Sequence, residues 1–287
     1  MRLRKIHRGT ATALLLLTLV AACSSDSSPA TTAATAAPSS ATPVAPTGPS
    51  ASYVALGDSF TAGPGILPEQ DGAGFCRRSA KDWPTVAAAA LGRDVTDVSC
   101  AGATTADLAA TVRAGVVGPE TSLVTVSAGG NDGGLFLSLL RSCSGPAATC
   151  DQFTQEQVPT TLRQTTTDLT ALLKDVRTAA PSATVLLVGY PRILPSTGTC
   201  TVLGISTADA TAVMGAEEAL DTALADAAEG AGVPYVSPRA PSEGHDACAG
   251  AQAWTNGIAP AAGDGIVFHP NARGMAAVGA LVAAAAG

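Results

Sequence analysis

Short apolar runs separated by longer amphipathic stretches make up the pattern of hydrophobic positions after residue 50. Most of these runs are followed by a glycine or a small polar residue, which predicts a turn where a strand ends. Residues 185–188 are apolar at every position, as a strand covered on both faces of a sheet requires. The predicted strands are 53–56, 95–99, 123–127, 185–188 and 234–236.

Apolar residues at helical spacing occupy the intervals between these strands. The clearest helix is predicted between residues 153 and 177, where the face is formed by Leu162, Leu169, Leu172, Leu173 and Val176. Similar spacing predicts helices over 83–91 and 207–229, and a last helix that starts at Pro270. Strands that alternate with helices indicate the α/β class, with a parallel sheet flanked by helices.

The first 22 residues have the pattern of an export signal. Four basic residues and no acidic one precede an apolar run, Ala13–Ala22, that is too short to cross a bilayer as a permanent helix. The small residues directly before Cys23 resemble a bacterial lipobox, in which the cysteine receives a diacylglycerol and becomes the mature N-terminus. We therefore expect 1–22 to be a lipoprotein signal peptide and Cys23 a membrane anchor; an ordinary secretory signal is the alternative.

Residues 23–50 differ in composition from everything that follows them. After Cys23 the segment consists mostly of Ala, Ser, Thr and Pro with a single charge, Asp26. Such a segment cannot bury enough apolar surface to fold, so it predicts a disordered tether. The folded part is then 51–287, a suitable size for one domain.

Charge and cysteine content narrow the classes of function. Without residues 1–22, 12 basic side chains stand against 23 acidic ones, a net charge of −11, which argues against nucleic acid as a partner. If Cys23 is lipidated, six of the seven cysteines remain. An even number in an exported chain predicts three disulfides, in any of fifteen connectivities. No CxxC pair occurs, so a zinc or redox centre is not expected. No cofactor is predicted.

Four residues of catalytic type follow predicted strands or precede the last helix. Ser59, in Gly57-Asp58-Ser59, comes directly after the first strand, Gly102 after the second, Asn131 after the third, and His269 stands before the last helix. Parallel strands present such residues at one edge of the sheet. Ser59 is then a nucleophile and His269 its base, with an oxyanion held by the Ser59 and Gly102 amides and the Asn131 side chain. Each motif taken alone is also typical of an ordinary turn.

In this order the four residues match the namesakes of the SGNH (GDSL-type) hydrolase family. The chain resembles that family over nearly all of 51–287, and especially its secreted and lipid-anchored bacterial lipases and esterases. The resemblance implies a three-layer α/β/α sandwich around a flavodoxin-like, five-stranded parallel sheet, and hydrolysis of carboxylic esters without a metal. It also implies that the cysteines pair sequentially, as Cys76–Cys100, Cys143–Cys150 and Cys200–Cys248. A Gly-x-Ser-x-Gly elbow of the α/β-hydrolase type is absent from the sequence.

One position departs from the family pattern. The aspartate that usually stands three residues before the catalytic histidine is replaced by Ile266. We expect the Ile266 carbonyl to orient His269, as a backbone carbonyl does in some members, in preference to the carboxylate of Asp264. His245 is expected to be structural or to line the cleft, and Asp58 and Asp132 to be turn residues bonded to their own backbone.

The sequence leaves the substrate open. The segment 134–140 after Asn131 is either the wall of an acyl-chain site or a helix packed on the core, and Trp254 is a candidate for the opposite wall. An esterase or lipase acting on small-molecule or lipid esters is the first hypothesis, and an O-deacetylase acting on cell-wall or other glycans is the second. A non-catalytic surface lipoprotein is the third. We expect the protein to be a monomer.

Overall fold

Five parallel strands form one sheet in the order β2-β1-β3-β4-β5. The structure, a computed structural model, describes residues 53–144 and 147–287. This strand order is the flavodoxin-like arrangement of doubly wound folds, so the predicted fold class is confirmed. The strands are β1 Tyr53–Gly57, β2 Val95–Asp97, β3 Leu123–Ser127, β4 Thr184–Val188 and β5 Tyr235–Val236.

Helices connect successive strands and cover both faces of the sheet. The predicted signal peptide, Cys23 and the tether, residues 1–50, lie outside the described residues. In the described ranges, no helix combines the length and apolar character needed to cross a bilayer. The helices are α1 Ser59–Ala62, α2 Trp83–Leu91, α3 Thr105–Arg113, α4 Leu135–Cys143, α5 Ala147–Gln152, α6 Val158–Ala179, α7 Thr207–Ala231 and α8 Ala272–Ala286.

The two faces of the sheet bury separate apolar clusters because side chains alternate along each strand. On one face, Tyr53 and Ala55 pack with Trp83 of α2 and with Met275 and Val278 of α8. On the other face, Val54 and Leu56 belong to the larger cluster, which includes residues of α3, α4, α6 and α7. The strands are therefore buried on both sides, as their near-continuous apolar sequence predicts, and the arrangement is a three-layer sandwich.

Two helices start later than predicted. The last helix begins at Ala272 and not at Pro270, because the Asn271 side chain accepts a hydrogen bond from Gly274 N–H and caps it. The helix predicted from residue 153 is preceded by a π-helical turn, Phe153–Gln157, and becomes α-helical only at Val158.

Three disulfides join the pairs that the family resemblance implies. They are Cys76–Cys100, Cys143–Cys150 and Cys200–Cys248. The first is positioned beside the loop after β2, where Ala101 N–H also donates to the Cys76 carbonyl at 3.1 Å. This loop carries Gly102, so the disulfide restrains one of the predicted site residues.

The order of connections places a crevice above β1 and β3. The chain leaves β1 toward β2 on one side and then crosses over to β3 on the other. Ligands of open α/β sheets bind at the carboxyl ends of strands where the winding direction reverses. Ser59 follows β1 and Asn131 follows β3, so the fold places both at this crevice.

Candidate active site

Ser59 and His269 lie in hydrogen-bond contact, although 210 positions separate them along the chain. Ser59 Oγ is 2.8 Å from Nε2 of His269. Ser59 is the first residue of α1, where Asp58 caps the helix by accepting from Phe60 N–H at 2.8 Å. The preceding residue, Gly57, has no room for a side chain, because a Cβ there would collide with Thr61. The strand can therefore turn sharply into the helix and present Ser59 at its tip.

The imidazole of His269 is held by the carbonyl of Val267, which lies 2.8 Å from Nδ1. The expectation that the Ile266 carbonyl fills this role is wrong, because that carbonyl accepts from the backbone N–H of His269 at 3.2 Å. Phe268 between them has φ +57°, the sign that the third residue of a type II turn requires. In this turn the Ile266 carbonyl is hydrogen-bonded to the backbone, whereas the Val267 carbonyl points to the imidazole and accepts from it.

Asp264 has a different role from the one considered as an alternative. Its Oδ1 accepts from Ala272 N–H at 2.8 Å, at the first turn of α8, and its carbonyl accepts from Asn256 Nδ2. An anionic side chain at a helix N-terminus stabilises the helix. Asp264 is therefore bonded to Asn256 and to the start of α8, and it does not contact the imidazole of His269.

The contacts of His269 define its tautomer. A carbonyl only accepts, so the proton of the neutral ring belongs on Nδ1, and Nε2 is left to accept from Ser59 Oγ. Burial lowers the pKa of His269 below its ordinary value of 6.5, while the bond to the Val267 carbonyl opposes the shift. The ring of Phe60 packs against the imidazole with centroids 4.7 Å apart. At neutral pH the imidazole is therefore uncharged, oriented and able to accept a proton.

Three groups at the carboxyl edge of the sheet are candidate oxyanion donors. The backbone N–H groups of Ser59 and Gly102 have no acceptor within the described part of the chain. Gly102 adopts φ +85°, a left-handed conformation that glycine reaches without strain. Asn131 Nδ2 donates one of its two hydrogens to the carbonyl of Ala103 at 3.0 Å. Its second hydrogen is therefore available to another acceptor. The sequence-predicted residues are thus brought to one edge of the sheet, and the Asn131 bond ties two of their loops together.

The loops that carry these groups are braced by two carboxylates, the half-buried Asp132 and the buried Asp58. Asp132 accepts from the backbone N–H and the hydroxyl of Thr105, at 2.8 and 2.7 Å, so it links the Asn131 loop to α3. The expectation that Asp132 bonds its own backbone through its side chain is therefore wrong. Asp58 accepts from Tyr190 Oη at 2.7 Å, and this hydroxyl accepts from Gly130 N–H at 3.0 Å. Burial raises the pKa of Asp58 to about 7, against the lowering effect of the Tyr190 bond.

Tyr190 was missed by the sequence argument although a signal for it exists. It stands two residues after β4, so it belongs to the same carboxyl edge of the sheet as Ser59 and Asn131. Its hydroxyl connects Asp58, the residue before Ser59, to Gly130, the residue before Asn131. The expectation that site residues follow the carboxyl ends of parallel strands therefore applies to Tyr190 as well.

A largely apolar cavity of about 240 Å³ reaches His269, the residue in contact with Ser59. Its lining includes His269, Asn131 and four residues of the segment 134–140, namely Phe136, Leu137, Leu139 and Leu140. Leu135 of the same segment is buried in the core, so the segment is both a cavity wall and a core helix. The exposed side chains of Leu137 and Leu140 extend this wall to the protein surface.

His245 and Trp254 form a separate structural pair. Their rings stack at a centroid distance of 4.7 Å, and His245 Nδ1 lies 2.8 Å from the carbonyl of Gln252. Neither residue lines the cavity next to Ser59, so the expected contribution of Trp254 to the opposite wall is wrong. Among the described residues there is also no group of three His, Cys, Asp or Glu side chains arranged to hold a metal ion.

Known proteins are similar to this chain in fold and in sequence. The model of the GDSL-like lipase/acylhydrolase family matches residues 55–277. Lipase 2 of Streptomyces coelicolor is 35% identical over 79% of this chain and 82% of its own length. The crystal structure of phospholipase A1 from Streptomyces albidoflavus NA297 is 31% identical, with a TM-score of 0.70 over 82% of this chain and 98% of that one. An extracellular lipase from Streptomyces rimosus is 27% identical, also with a TM-score of 0.70, over 82% and 99% of the two chains.

The match to the family model extends from the first strand of the sheet to the last helix. The family model begins inside β1 and ends inside α8. The relatives carry the names lipase and phospholipase A1, and both names describe enzymes that hydrolyse carboxylic esters. The chain belongs to the GDSL-like lipase/acylhydrolase family and is a carboxylic ester hydrolase.

Proposed function

We propose that the protein hydrolyses acyl esters through an acyl-enzyme on Ser59, with His269 as general base. The observation that carries this proposal is the 2.8 Å contact between Ser59 Oγ and His269 Nε2 beside the apolar cavity. Ser59 Oγ attacks the ester carbonyl as its proton passes to Nε2, and His269 then protonates the leaving alcohol. In the second half, water loses a proton to His269 and attacks the acyl-enzyme; the acid leaves as the bond to Oγ breaks, and His269 returns the proton to Ser59 Oγ.

Three hydrogen-bond donors stabilise the negative charge that develops on the carbonyl oxygen in this proposal. Among the described residues, the Ser59 and Gly102 N–H groups and the second hydrogen of Asn131 Nδ2 have no acceptor. They are fixed before the substrate arrives, so little reorganisation is needed as the charge forms. The imidazolium that forms on His269 is supported by the partial charge of the Val267 carbonyl, which makes the catalytic unit a dyad with a backbone acceptor.

The cavity favours an acyl chain of medium or greater length as the substrate's acid part. Its lining is predominantly leucine, isoleucine, valine and phenylalanine, and the transfer of a chain from water to such a surface is favourable by about 0.8 kcal/mol for each methylene buried. A glycan O-deacetylase would need room for an acetyl group only. The apolar cavity therefore supports the lipase and esterase hypothesis over glycan deacetylation, and the names of the relatives agree with it.

A series of p-nitrophenyl esters tests this proposal. We expect kcat/KM to rise from the acetyl to the octanoyl ester by at least about tenfold, because a few buried methylenes contribute more than the 1.4 kcal/mol that a tenfold change represents. A fluorophosphonate should label Ser59 in the folded protein and not after heat unfolding, as judged by peptide mass spectrometry. Labelling at a different serine, or equal rates along the ester series, would contradict the assignment.

We also propose that the protein is exported and held at a membrane by a lipid on Cys23. The three disulfides fit an oxidising, extracytoplasmic environment, and the S. rimosus relative is an extracellular lipase. A diacyl anchor supplies two chains, which suffice for stable attachment. Cys23→Ser should therefore move the protein from the membrane fraction to the soluble fraction or leave it unprocessed; membrane retention of a processed variant would rule out this anchor.

A further inference from the structure

A buried tyrosine links three strands at the carboxyl edge of the sheet. Tyr190 stands two residues after β4. Its hydroxyl group donates to Asp58 Oδ2 at 2.7 Å and accepts from Gly130 N–H at 3.0 Å. Asp58 follows β1 and Gly130 follows β3, and β3 lies between β1 and β4 in the sheet. This one hydroxyl group therefore bonds to the chain beyond the ends of both other strands.

Both partners of the hydroxyl group are neighbours of residues in the proposed mechanism. Asp58 directly precedes Ser59, and Gly130 directly precedes Asn131. The backbone pairing of β1 with β3 extends as far as Asp58, whose N–H donates to the last carbonyl of β3 at 3.2 Å. Beyond that point Ser59 enters α1 and the other chain passes through two glycines. The Tyr190 hydroxyl group thus joins the two segments after their backbone pairing has ended.

The two glycines before Asn131 make this segment dependent on such a bond. Gly129 has φ +119°, and at Gly130 a Cβ would collide with the ring of Phe136, so both positions need glycine. Glycine loses more conformational freedom on ordering than any other residue. The Gly130 N–H donates to Tyr190, and the Gly130 carbonyl accepts from Phe136 N–H at 3.0 Å. Only the first of these two bonds relates the segment to the loop that carries the nucleophile.

The ring of Tyr190 is held by contacts that do not involve its hydroxyl group. The residue is buried, and its ring packs edge-on against Phe60 and Phe136 with centroids 5.1 and 5.4 Å apart. The single hydroxyl hydrogen is directed to Asp58, and a lone pair of the same oxygen accepts from Gly130. The removal of this oxygen therefore breaks both hydrogen bonds and leaves the ring contacts in place.

We propose that Tyr190 is a positioning residue for the oxyanion site, whose hydroxyl group holds Asn131 in the correct place relative to Ser59. This inference rests on the proposed reaction at Ser59. A donor stabilises the oxyanion only when it lies about 2.7–3.1 Å from the position of that oxygen. A misplacement of about 1 Å can lower a rate by about 10². Tyr190 therefore affects the rate although it does not line the cavity that reaches His269.

The test is Tyr190→Phe, assayed with the octanoyl ester. We expect kcat to fall by about tenfold to a hundredfold with KM nearly unchanged, because the cavity that binds the chain is not altered. The affinity for an octyl boronic acid, whose tetrahedral adduct on Ser59 also carries an oxyanion, should fall by the same factor. Fluorophosphonate labelling gives the concentration of active enzyme, so that a loss of folded protein is not counted as a loss of kcat. A wild-type kcat in Tyr190→Phe would refute the role of Tyr190.

Tyr53→Phe is the matched control, because it also removes a buried tyrosine hydroxyl group that links β1 to β3. The Tyr53 hydroxyl group lies 3.0 Å from Thr125 Oγ1, away from the proposed site. This variant should have a lower thermal unfolding midpoint and keep kcat within the same order of magnitude. Hydrolysis by the wild type and by Tyr53→Phe tests the proposed function separately from the role of Tyr190. An equal loss of kcat in Tyr53→Phe and Tyr190→Phe would mean that the effect is one of general stability.

A double-mutant cycle tests whether Tyr190 acts through Asn131. In an Asn131→Ala background, Tyr190→Phe should lower kcat little further, because the donor that Tyr190 positions is already absent. Residues of one hydrogen-bond network are expected to be non-additive in this way, whereas independent residues are additive. A loss in that background as large as in the wild type would overturn the proposal.

Asp58→Asn tests the same link from its other end, and it serves if Tyr190→Phe is too unstable to assay. The Asp58 side chain caps α1 through Oδ1, and an asparagine oxygen can cap a helix equally well. The amide group, however, turns a donor toward the Tyr190 hydroxyl group, which then has no acceptor there. We expect kcat to fall with KM nearly unchanged and with the same non-additivity toward Asn131→Ala. A wild-type kcat in Asp58→Asn would refute the link.

Discussion

Ser59→Ala is expected to lower kcat/KM for the octanoyl ester by about four to six orders of magnitude, as removal of the nucleophile does in serine hydrolases. The substitution removes the single oxygen atom that lies 2.8 Å from His269 Nε2. It leaves the Ser59 N–H, the Gly102 loop and Asn131 in place, so a small residual rate from the oxyanion donors is expected. The measurement is the rate of p-nitrophenolate release, together with loss of fluorophosphonate labelling.

A control separates chemistry from stability in this experiment. Ser242 is also buried, and its hydroxyl is hydrogen-bonded to the backbone of Arg192 and Arg239. Ser242→Ala should reduce the thermal unfolding midpoint more than Ser59→Ala does, because the Ser242 hydroxyl joins two backbone groups, and should keep catalysis within the same order of magnitude. Turnover close to wild type in Ser59→Ala would remove Ser59 from the proposed mechanism.

The site residues that could be found from the sequence are those that follow a strand directly. Ser59 after β1 and Asn131 after β3 are adjacent in the fold because parallel strands end at one edge of the sheet. The apolar runs in the sequence define those strands. Together with the shared edge of a parallel sheet, they are enough to predict that Ser59 and Asn131 lie close together. Tyr190 after β4 obeys the same rule, and it was overlooked because no catalytic role is typical of a tyrosine at that position.

The contacts that could not be predicted depend on local backbone geometry or on distant packing. The choice between the carbonyls of Ile266 and Val267 depends on the positive φ of Phe268, and no residue type in that turn requires this conformation. The cavity lining also includes Glu217 of α7, which reaches the cavity because α7 packs beside α4. The sequence surroundings of Glu217, with Glu218 next to it, are those of an ordinary exposed helix face.

Replacement of Asn131 by alanine should reduce kcat by about 10²–10³, roughly 3–4 kcal/mol of transition-state stabilisation, with little change in KM. The physical reason is that the charge on the carbonyl oxygen is larger in the transition state than in the bound ester. A donor held in place by its bond to the Ala103 carbonyl therefore contributes mainly to the rate. The measurement is a full kinetic analysis with the octanoyl ester, supported by the thermal unfolding midpoint.

A transition-state analogue distinguishes this role from a purely structural one. Asn131→Ala also loses the bond to the Ala103 carbonyl, so a shift of the Gly102 loop is a second way in which this substitution can lower the rate. A boronic acid with an octyl chain forms a tetrahedral, anionic adduct on Ser59, and its affinity should fall by about the same factor as kcat because both depend on stabilising the oxyanion. Asn131→Asp presents a carboxylate to the same oxygen and should be less active than Asn131→Ala, because like charges repel. Intact kcat with a raised KM in Asn131→Ala would mean that Asn131 binds the ground-state ester and does not stabilise the oxyanion.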